Sequence, residues 1–184
     1  KEDWTCTHLV WVSHDSGKRE SRRVVGDYNL REQDLTRPIR HEDETCTTTW
    51  RIDQHYPMEK NSQQYPGAEW LSEGVLTPID FYALPYRCFY SKDVRNMFMA
   101  GRNISVTHIA LGSTRVMRTC GMIGEVVGMA ASVCMKRNAL PRDIYTTYFA
   151  DLQELMRKGT GRTDVPYTQF YHQVDRTGHQ AEDR

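Results

Sequence analysis

The feature that most constrains the fold is a set of glycines within a segment that otherwise favours a helix. Residues 114–137 carry Gly121, Gly124 and Gly128, which share one helical face at these spacings. Each glycine costs an exposed helix about 1 kcal/mol relative to alanine. A face without side chains lets another backbone or a flat ligand come into van der Waals contact, and close packing on a sheet is the alternative. The residues alone leave both interpretations open.

The segment before this helix is polar and contains groups suited to an electron-rich ligand. Arg102 and His108 lie in a polar loop, and we predict that Gly112 and Ser113 form the first turn of the glycine-bearing helix. Unpaired N–H groups and the macrodipole make such a turn favourable for an anion or a carbonyl oxygen. Arg115 and Arg118 would add positive charge there. A strand, a polar loop and a glycine-headed helix are the layout of a nucleotide-binding corner, although the chain contains no GxGxxG motif.

Strand-like segments precede the helices, so the pattern indicates an α+β fold. Pro78 and Pro85 lack an N–H donor, which confines their strands to an edge or a bend. Pro141 and Gly159 mark the start and the end of a second helix over 142–158. Strands are predicted at 4–12 and 22–28 (a hairpin), 47–53, 74–90 and 96–101, with a helical turn at 29–34 capped by Asn29 and a polar excursion over 36–72.

Charge and cysteine content exclude several classes of function. The 24 basic and 24 acidic residues balance, which disfavours nucleic acid and anionic membranes as partners. No apolar run reaches the roughly 20 residues that a membrane-spanning helix requires. The five cysteines form no CxxC pair, so we expect separate thiols and no metal site. The composition does not indicate a cellular compartment.

Two stretches of the chain resemble the FAD-dependent oxidoreductase family with a two-dinucleotide-binding-type fold. The first is KRESRRVVGDYNL at 18–30, which resembles the family's RESRR and GDY elements. The second is LPYRCFYSKDVRNMFMAGRNISVTHIALGSTRVMRTCGMIGEVVGMAAS at 84–132. In the family a PYR element precedes a strand that ends in AGR, and a TH-x-ALGS-x-RVM-x-TC run follows. The second stretch resembles these motifs in the same order. The GEVVG at 124–128 departs from the GQAAG type common among relatives.

The resemblance implies an FAD cofactor and assigns roles to individual residues. The backbone of Ser113, Thr114 and Arg115 would donate to the pyrimidine carbonyl of the flavin, and positive charge there would stabilise a flavin that accepts hydride. His108 and Arg87 become candidates for proton transfer or substrate anchoring, with a loop hydrogen bond or an internal ion pair as the structural alternatives. The expected cofactor-binding set comprises Arg102, Gly112, Ser113, Thr114, Arg115 and Val116.

The family's GxGxxG unit lies N-terminal to both motifs, so the resemblance implies the C-terminal portion of a longer flavoprotein whose N-terminal Rossmann part is missing. We expect a β-rich substrate-side segment over 1–92, the end of the FAD-binding domain over 93–158, and a tail over 159–184. Such a chain would be colourless and inactive alone, and its partners would be FAD, the missing N-terminal segment and a small organic substrate.

Two other classes of function stay open at this point. The chain could be a non-catalytic module that docks on a separate FAD-binding chain. It could also be a carbohydrate-acting hydrolase or lyase, which requires a pair of carboxylates, and Asp80 with Glu73 is the one candidate pair in the sequence.

Overall fold

The computed structural model describes residues 8, 10, 11, 13, 14, 20, 22–57 and 72–159. Within them the chain forms a mixed α+β structure, which confirms the fold class. The predicted strand at 4–12, apart from residues 8, 10 and 11, and the tail from 160 onward lie outside the described residues. The elements in chain order are α1 (Glu32–Thr36), β1 (Glu44–Thr48), β2 (Ile52–Pro57), β3 (Ser72–Thr77), β4 (Tyr82–Pro85), α2 (His108–Thr114), α3 (Met117–Arg137), α4 (Pro141–Thr146) and α5 (Phe149–Lys158).

Four strands form two separate antiparallel pairs. β1 pairs with β4, and β2 pairs with β3 from Ile52↔Thr77 to Pro57↔Ser72. β1 and β4 are buried along their whole length. The threonines of β1 tolerate this burial because their hydroxyls find acceptors, as when Thr45 Oγ1 donates to Leu84 O at 2.7 Å. The strand predicted over 74–90 is divided into the end of β3, β4 and a single helical turn at Tyr86–Cys88, and Pro78 and Pro85 lie at the strand ends.

One face of helix α3 packs into the hydrophobic core. Met122, Ile123, Val126, Ala130 and Val133 are buried at helical spacing. The helix packs on β1, α4, α5 and the single turn at Gly101–Asn103. It ends at Asn138, which adopts the left-handed conformation with φ of 49° that commonly terminates helices. Among the described helices, none by itself is long and apolar enough to cross a bilayer.

Several predicted elements differ from the structure. The segment 22–28 forms no strand, because it makes single backbone hydrogen bonds to different segments, such as Val24 N to Asn103 O and Tyr28 N to Arg87 O. The apolar run 96–101 likewise forms only one bridge, Tyr90↔Phe98. The predicted strand at 47–53 is the end of β1 and the start of β2. Asn29 does not cap α1, since the Asp34 carboxylate accepts from the N–H of the N-cap residue Arg31.

The C-terminal helical region also divides differently from the prediction. The helix expected over 142–158 is two helices, α4 and α5, with a break at Thr147–Tyr148. Pro141 begins α4 and Gly159 ends α5 with φ of 67°, which confirms both predicted boundaries. A domain boundary between residues 92 and 93 stays a prediction.

Candidate functional site

The junction between α2 and α3 replaces the single glycine-headed helix that the sequence predicted. α2 ends at Thr114, α3 begins at Met117, and the two helices meet at 90°. Gly112 therefore lies in the last turn of α2, and its prediction as the start of the long helix is wrong. Val116 is the N-cap of α3 and has extended backbone angles, φ −72° and ψ 148°. The positive helix end belongs to Met117 and the residues that follow it.

Gly112 is a glycine because α2 crosses the backbone of β2 at that point. A Cβ on Gly112 would lie 2.8 Å from Asp53 O, 2.9 Å from Asp53 N and 2.5 Å from Gln54 Nε2. No side chain fits against backbone atoms at such distances. The close approach that the sequence suggested at this glycine is therefore made by a strand of the same chain.

The two hydroxyl residues after Gly112 are fully buried. Ser113 Oγ donates to Trp50 O at 2.7 Å and lies 3.2 Å from Thr48 Oγ1. Thr114 Oγ1 is buried and has no hydrogen-bond partner among the described residues. An orphaned buried hydroxyl is unusual in a folded protein, and it lies directly before the N-terminus of α3.

A polar cleft opens where α2 meets β2, and we call it the His108 cleft. Its volume is about 240 Å³. Two of the predicted cofactor residues, Gly112 and Arg115, line it together with the predicted catalytic residue His108. The other lining residues are Glu20, Asp53, Gln54, His55 and Leu111. The cleft therefore collects three predicted site residues and five that sequence reasoning did not single out.

On one wall of the cleft His108 is held by a carboxylate. His108 is the first residue of α2, and its Nδ1 lies 2.9 Å from Glu20 Oε1. Glu20 also pairs with Arg23. Partial burial opposes ionisation of Glu20, but the hydrogen bonds from His108 and Arg23 outweigh it and lower the pKa of this carboxyl. The interaction leaves His108 Nε2 as the ring nitrogen that Glu20 does not engage.

Strand β2 contributes a second histidine, His55, and the carboxylate of Asp53 to the cleft. Asp53 Oδ1 lies 3.0 Å from His55 Nε2, and Asp53 Oδ2 accepts from Arg115 Nη2 at 3.0 Å. Gly74 lies opposite His55 in β3, where a Cβ would be 3.5 Å from Cε1 and 3.8 Å from Nδ1 of the ring. The glycine thus leaves that side of the imidazole uncovered by a side chain.

A local sequence signal exists for these two residues of β2. Asp53 and His55 are two residues apart in a strand, so they lie on the same face. The prediction ended the strand at residue 53 and therefore did not reach His55. No such signal exists for Glu20, because its approach to His108 joins positions 88 residues apart.

Arg87 forms an internal ion pair. Its Nε and Nη2 donate to the Asp43 carboxylate at 2.9 and 2.8 Å, and the Asp43 side chain is 0% exposed. The hydrogen bond with Asp43 raises the pKa of Arg87. The guanidinium also lies over the rings of Tyr28 and Tyr145. Arg87 does not line the His108 cleft. A role in substrate anchoring stays a prediction.

The remaining predicted site residues lie outside the cleft. Arg102 is exposed in the turn at Gly101–Asn103, and Val116 is half-buried at the start of α3. Of the carboxylate pair considered for a hydrolase, Asp80 is exposed, and the Glu73 side chain lies outside the described part. Cys46, Cys88, Cys120 and Cys134 are free thiols. The described residues hold no cluster of three or more His, Cys, Asp or Glu suited to a metal ion.

The glycines of α3 face open space. A Cβ on Gly121, Gly124 or Gly128 would meet no atom of another described element within 4 Å. Met117 and Met135 lie at the two ends of the same stripe and are 92% and 85% exposed. We call this stripe, Met117 to Met135 through the three glycines, the glycine face. No side chain caps the N-terminus of α3 at its start.

Comparison with known sequences places these features in context. The sequence model of the family described as FAD dependent oxidoreductase matches residues 2–156. The match includes the His108 cleft, the α2–α3 junction and the glycine face. A search of curated proteins gave no match, and a search of solved structures gave none.

Proposed function

This chain belongs to the FAD-dependent oxidoreductase family, and on that premise we propose that it supplies the C-terminal part of a flavin site. The reaction would be a flavin-mediated redox step on a small organic substrate. The observation that carries the proposal is the start of α3. Among the described residues no side chain caps its N-terminus, and Gly121, Gly124 and Gly128 leave its exposed face without side chains over about two turns.

The residues at this junction fit a flavin. The first N–H groups of α3, from Met117 onward, lack intrahelical acceptors and carry the positive end of the helix dipole. The orphaned hydroxyl of Thr114 lies at the same junction and lacks a polar partner. Electron-rich carbonyl oxygens of a pyrimidine ring would accept hydrogen bonds from these N–H groups. The flavin, when bound, accepts the hydride equivalent of the substrate.

We further propose that the glycine face packs on a dinucleotide-binding segment N-terminal to this chain. A helix with exposed glycines loses stability that alanines would retain, and it gains nothing within the described residues. Close contact with another backbone or with the cofactor would explain that loss. Under this proposal residues 1–92 form the substrate side and 93–158 complete the FAD-binding domain.

The His108 cleft is the proposed substrate site. The hydrogen bond to Glu20 orients the His108 ring and holds the proton on Nδ1, which leaves Nε2 to accept a proton from the substrate. Arg115 joins the cleft to the α2–α3 junction, because it follows α2 directly and its side chain is held by Asp53. The cleft and the proposed flavin position are therefore adjacent along the chain.

The proposal is tested by expressing the chain together with the coding sequence immediately upstream of it. We expect stoichiometric flavin absorbance in the joined protein and a colourless protein when the chain is expressed alone. Gly124→Leu should abolish flavin retention in the joined protein. The matched control is Ala150→Leu, at an exposed position of α5, which should retain flavin.

Three results would contradict the proposal or change its form. A joined protein without flavin would refute it, as would unchanged flavin retention in Gly124→Leu. Flavin retention only after addition of a separate FAD-binding chain, with co-elution on a sizing column, would instead support the docking module. The described structure and the family match give the hydrolase or lyase alternative no support.

A further inference from the structure

Two histidines line the His108 cleft, His108 from α2 and His55 from β2, and each contacts a carboxylate. His108 Nδ1 is 2.9 Å from Glu20 Oε1, and His55 Nε2 is 3.0 Å from Asp53 Oδ1. A carboxylate only accepts, so each neutral imidazole donates from that nitrogen. The other nitrogens, His108 Nε2 and His55 Nδ1, are then unprotonated acceptors. A hydroxyl group of a ligand can donate a hydrogen bond to each of these two nitrogens.

The cations around the cleft are already paired. Arg115 is held by Asp53, and Arg23 is held by Glu20. The amide nitrogen of Gln54 donates to Ile109 O at 3.0 Å. Among the described lining residues, no cation is left to neutralise a carboxylate or a phosphate, and two acidic side chains would repel it. The charge arrangement therefore disfavours an anionic substrate.

The size of the cleft limits the ligand further. Its volume of about 240 Å³ lies below the usual range for drug-sized ligands, which is roughly 300–1,000 Å³. Apart from Leu111 and Gly112, the lining is polar. The cleft suits a compact polar molecule on the scale of a single sugar ring.

We propose that the His108 cleft binds a neutral polyhydroxylated compound through two of its hydroxyl groups, one on His108 Nε2 and one on His55 Nδ1. His55 is then a substrate-binding residue, and Gly74 serves to leave its ring uncovered. This proposal deepens the proposed function and rests on it for the redox step. Binding itself requires no flavin, so it is measurable on the chain alone.

The experiment compares matched probes by NMR. The imidazole Cε1–H signals of the full chain are followed during titration with methyl glucoside and, separately, with methyl glucuronide, which differs by one carboxylate. We expect the signals of His108 and His55 to shift with the neutral sugar and its affinity to exceed that of the glucuronide by at least roughly ten-fold. Cyclohexanol, with one hydroxyl, should bind more weakly than the sugar.

Variants separate the second histidine from a general loss of structure. His55→Phe should weaken methyl glucoside binding by roughly ten-fold, about the value of one hydrogen bond. Gly74→Val should weaken it as well, by covering the ring while the residue favours a strand. His14→Phe is the control, because His14 is exposed and does not line the cleft, and its binding should equal wild type.

The outcomes distinguish this inference from the proposed function. Equal or tighter binding of the glucuronide would overturn the inference, and so would absent shifts with all probes or unchanged binding in His55→Phe. Sugar binding by the chain, combined with a joined protein that holds no flavin, would refute the proposed function and keep the inference. Flavin retention in the joined protein, without a response of the chain to the neutral sugar, would support the proposed function and refute the inference.

Discussion

Gly112 in α2 and Gly124 in α3 are twelve residues apart in one motif, yet their surroundings are opposite. At Gly112 a Cβ would lie 2.8 Å from a backbone oxygen of β2, whereas at Gly124 it would meet nothing within 4 Å. The first glycine is required by a contact that the chain makes with itself. The second carries the cost of glycine in a helix without any such contact.

The comparison separates structural glycines from those that point to a partner. Sequence spacing gives both the same appearance, because a glycine in a helix lowers helix propensity regardless of its neighbours. Only the packing around each position divides them. We call the contacts that the described chain makes with itself, such as α2 with β2 and Arg87 with Asp43, the closed side, and the glycine face the open side. Mutations on the two sides should differ in their effects.

The largest effect is expected on the closed side at Arg87. Arg87→Ala removes both side-chain donors from the Asp43 carboxylate, which is 0% exposed. Breaking a buried ion pair from one side typically costs about 3–5 kcal/mol. Thermal unfolding should show a Tm lowered by roughly 10 °C. Arg95→Ala, at an exposed arginine, should change little. A Tm equal to wild type in Arg87→Ala would show that the Arg87–Asp43 ion pair does not stabilise the fold. It would favour a role of Arg87 in substrate anchoring instead.

The next effect is expected at Gly112. Gly112→Ala places a methyl group against Asp53 O, Asp53 N and the Gln54 amide. Overpacking of this kind costs about 1–3 kcal/mol, and the gain in helix propensity offsets at most about 1 kcal/mol of it. Chemical denaturation should therefore show a net loss of stability. A gain of stability would mean that α2 and β2 are not in contact as described.

A smaller effect of opposite sign is expected on the open side. Gly124→Ala adds a methyl group that meets no atom within 4 Å, so helix propensity decides the result. The chain expressed alone should gain up to about 1 kcal/mol. The joined protein should instead lose flavin affinity, because the face is then in contact. A lower unfolding free energy of Gly124→Ala, in the chain expressed without the upstream segment, would contradict this prediction.

The smallest effect concerns pH and the Glu20–His108 pair. The pKa of Glu20 in the folded state is below its ordinary value of 4.5, since the bonds from His108 and Arg23 outweigh the effect of burial. A lowered pKa contributes stability above the ordinary value, and this contribution is lost as the pH falls through the folded pKa. The Tm difference between wild type and Glu20→Gln should therefore be largest near neutral pH and disappear in acid. A pH-independent difference would exclude ionisation of the Glu20 carboxyl as its cause.

Local sequence signals predicted the parts of the fold that depend on local chemistry. Pro141 and Gly159 gave correct helix boundaries, because a missing donor at the first turn and a positive φ at the last are properties of those residues. The length of α3 was also predicted to within three residues at its start. The glycines at 121, 124 and 128 do share one face.

The parts that failed depend on distant partners. Nothing between residues 112 and 117 marks the break of the helix, which is accompanied by contacts of Ser113 with Trp50 and of Arg115 with Asp53, more than sixty positions away. The run 96–101 has the composition of a buried strand, but no neighbouring strand pairs with it over its length. Family resemblance directed attention to His108, and the spacing of Asp53 and His55 in a strand is a local signal for His55, whereas only the structure brings Glu20 to His108.

Strand β2 has a mechanical consequence for the two proposed sites. The backbone of β2 at Asp53 lies against α2. The Asp53 side chain accepts a hydrogen bond from Arg115, which lies two residues before the start of α3. A sideways shift of β2 would therefore move the lining of the His108 cleft and the α2–α3 junction together. If the His108 cleft binds substrate as proposed, Asp53 would couple movement at the cleft to the orientation of α3.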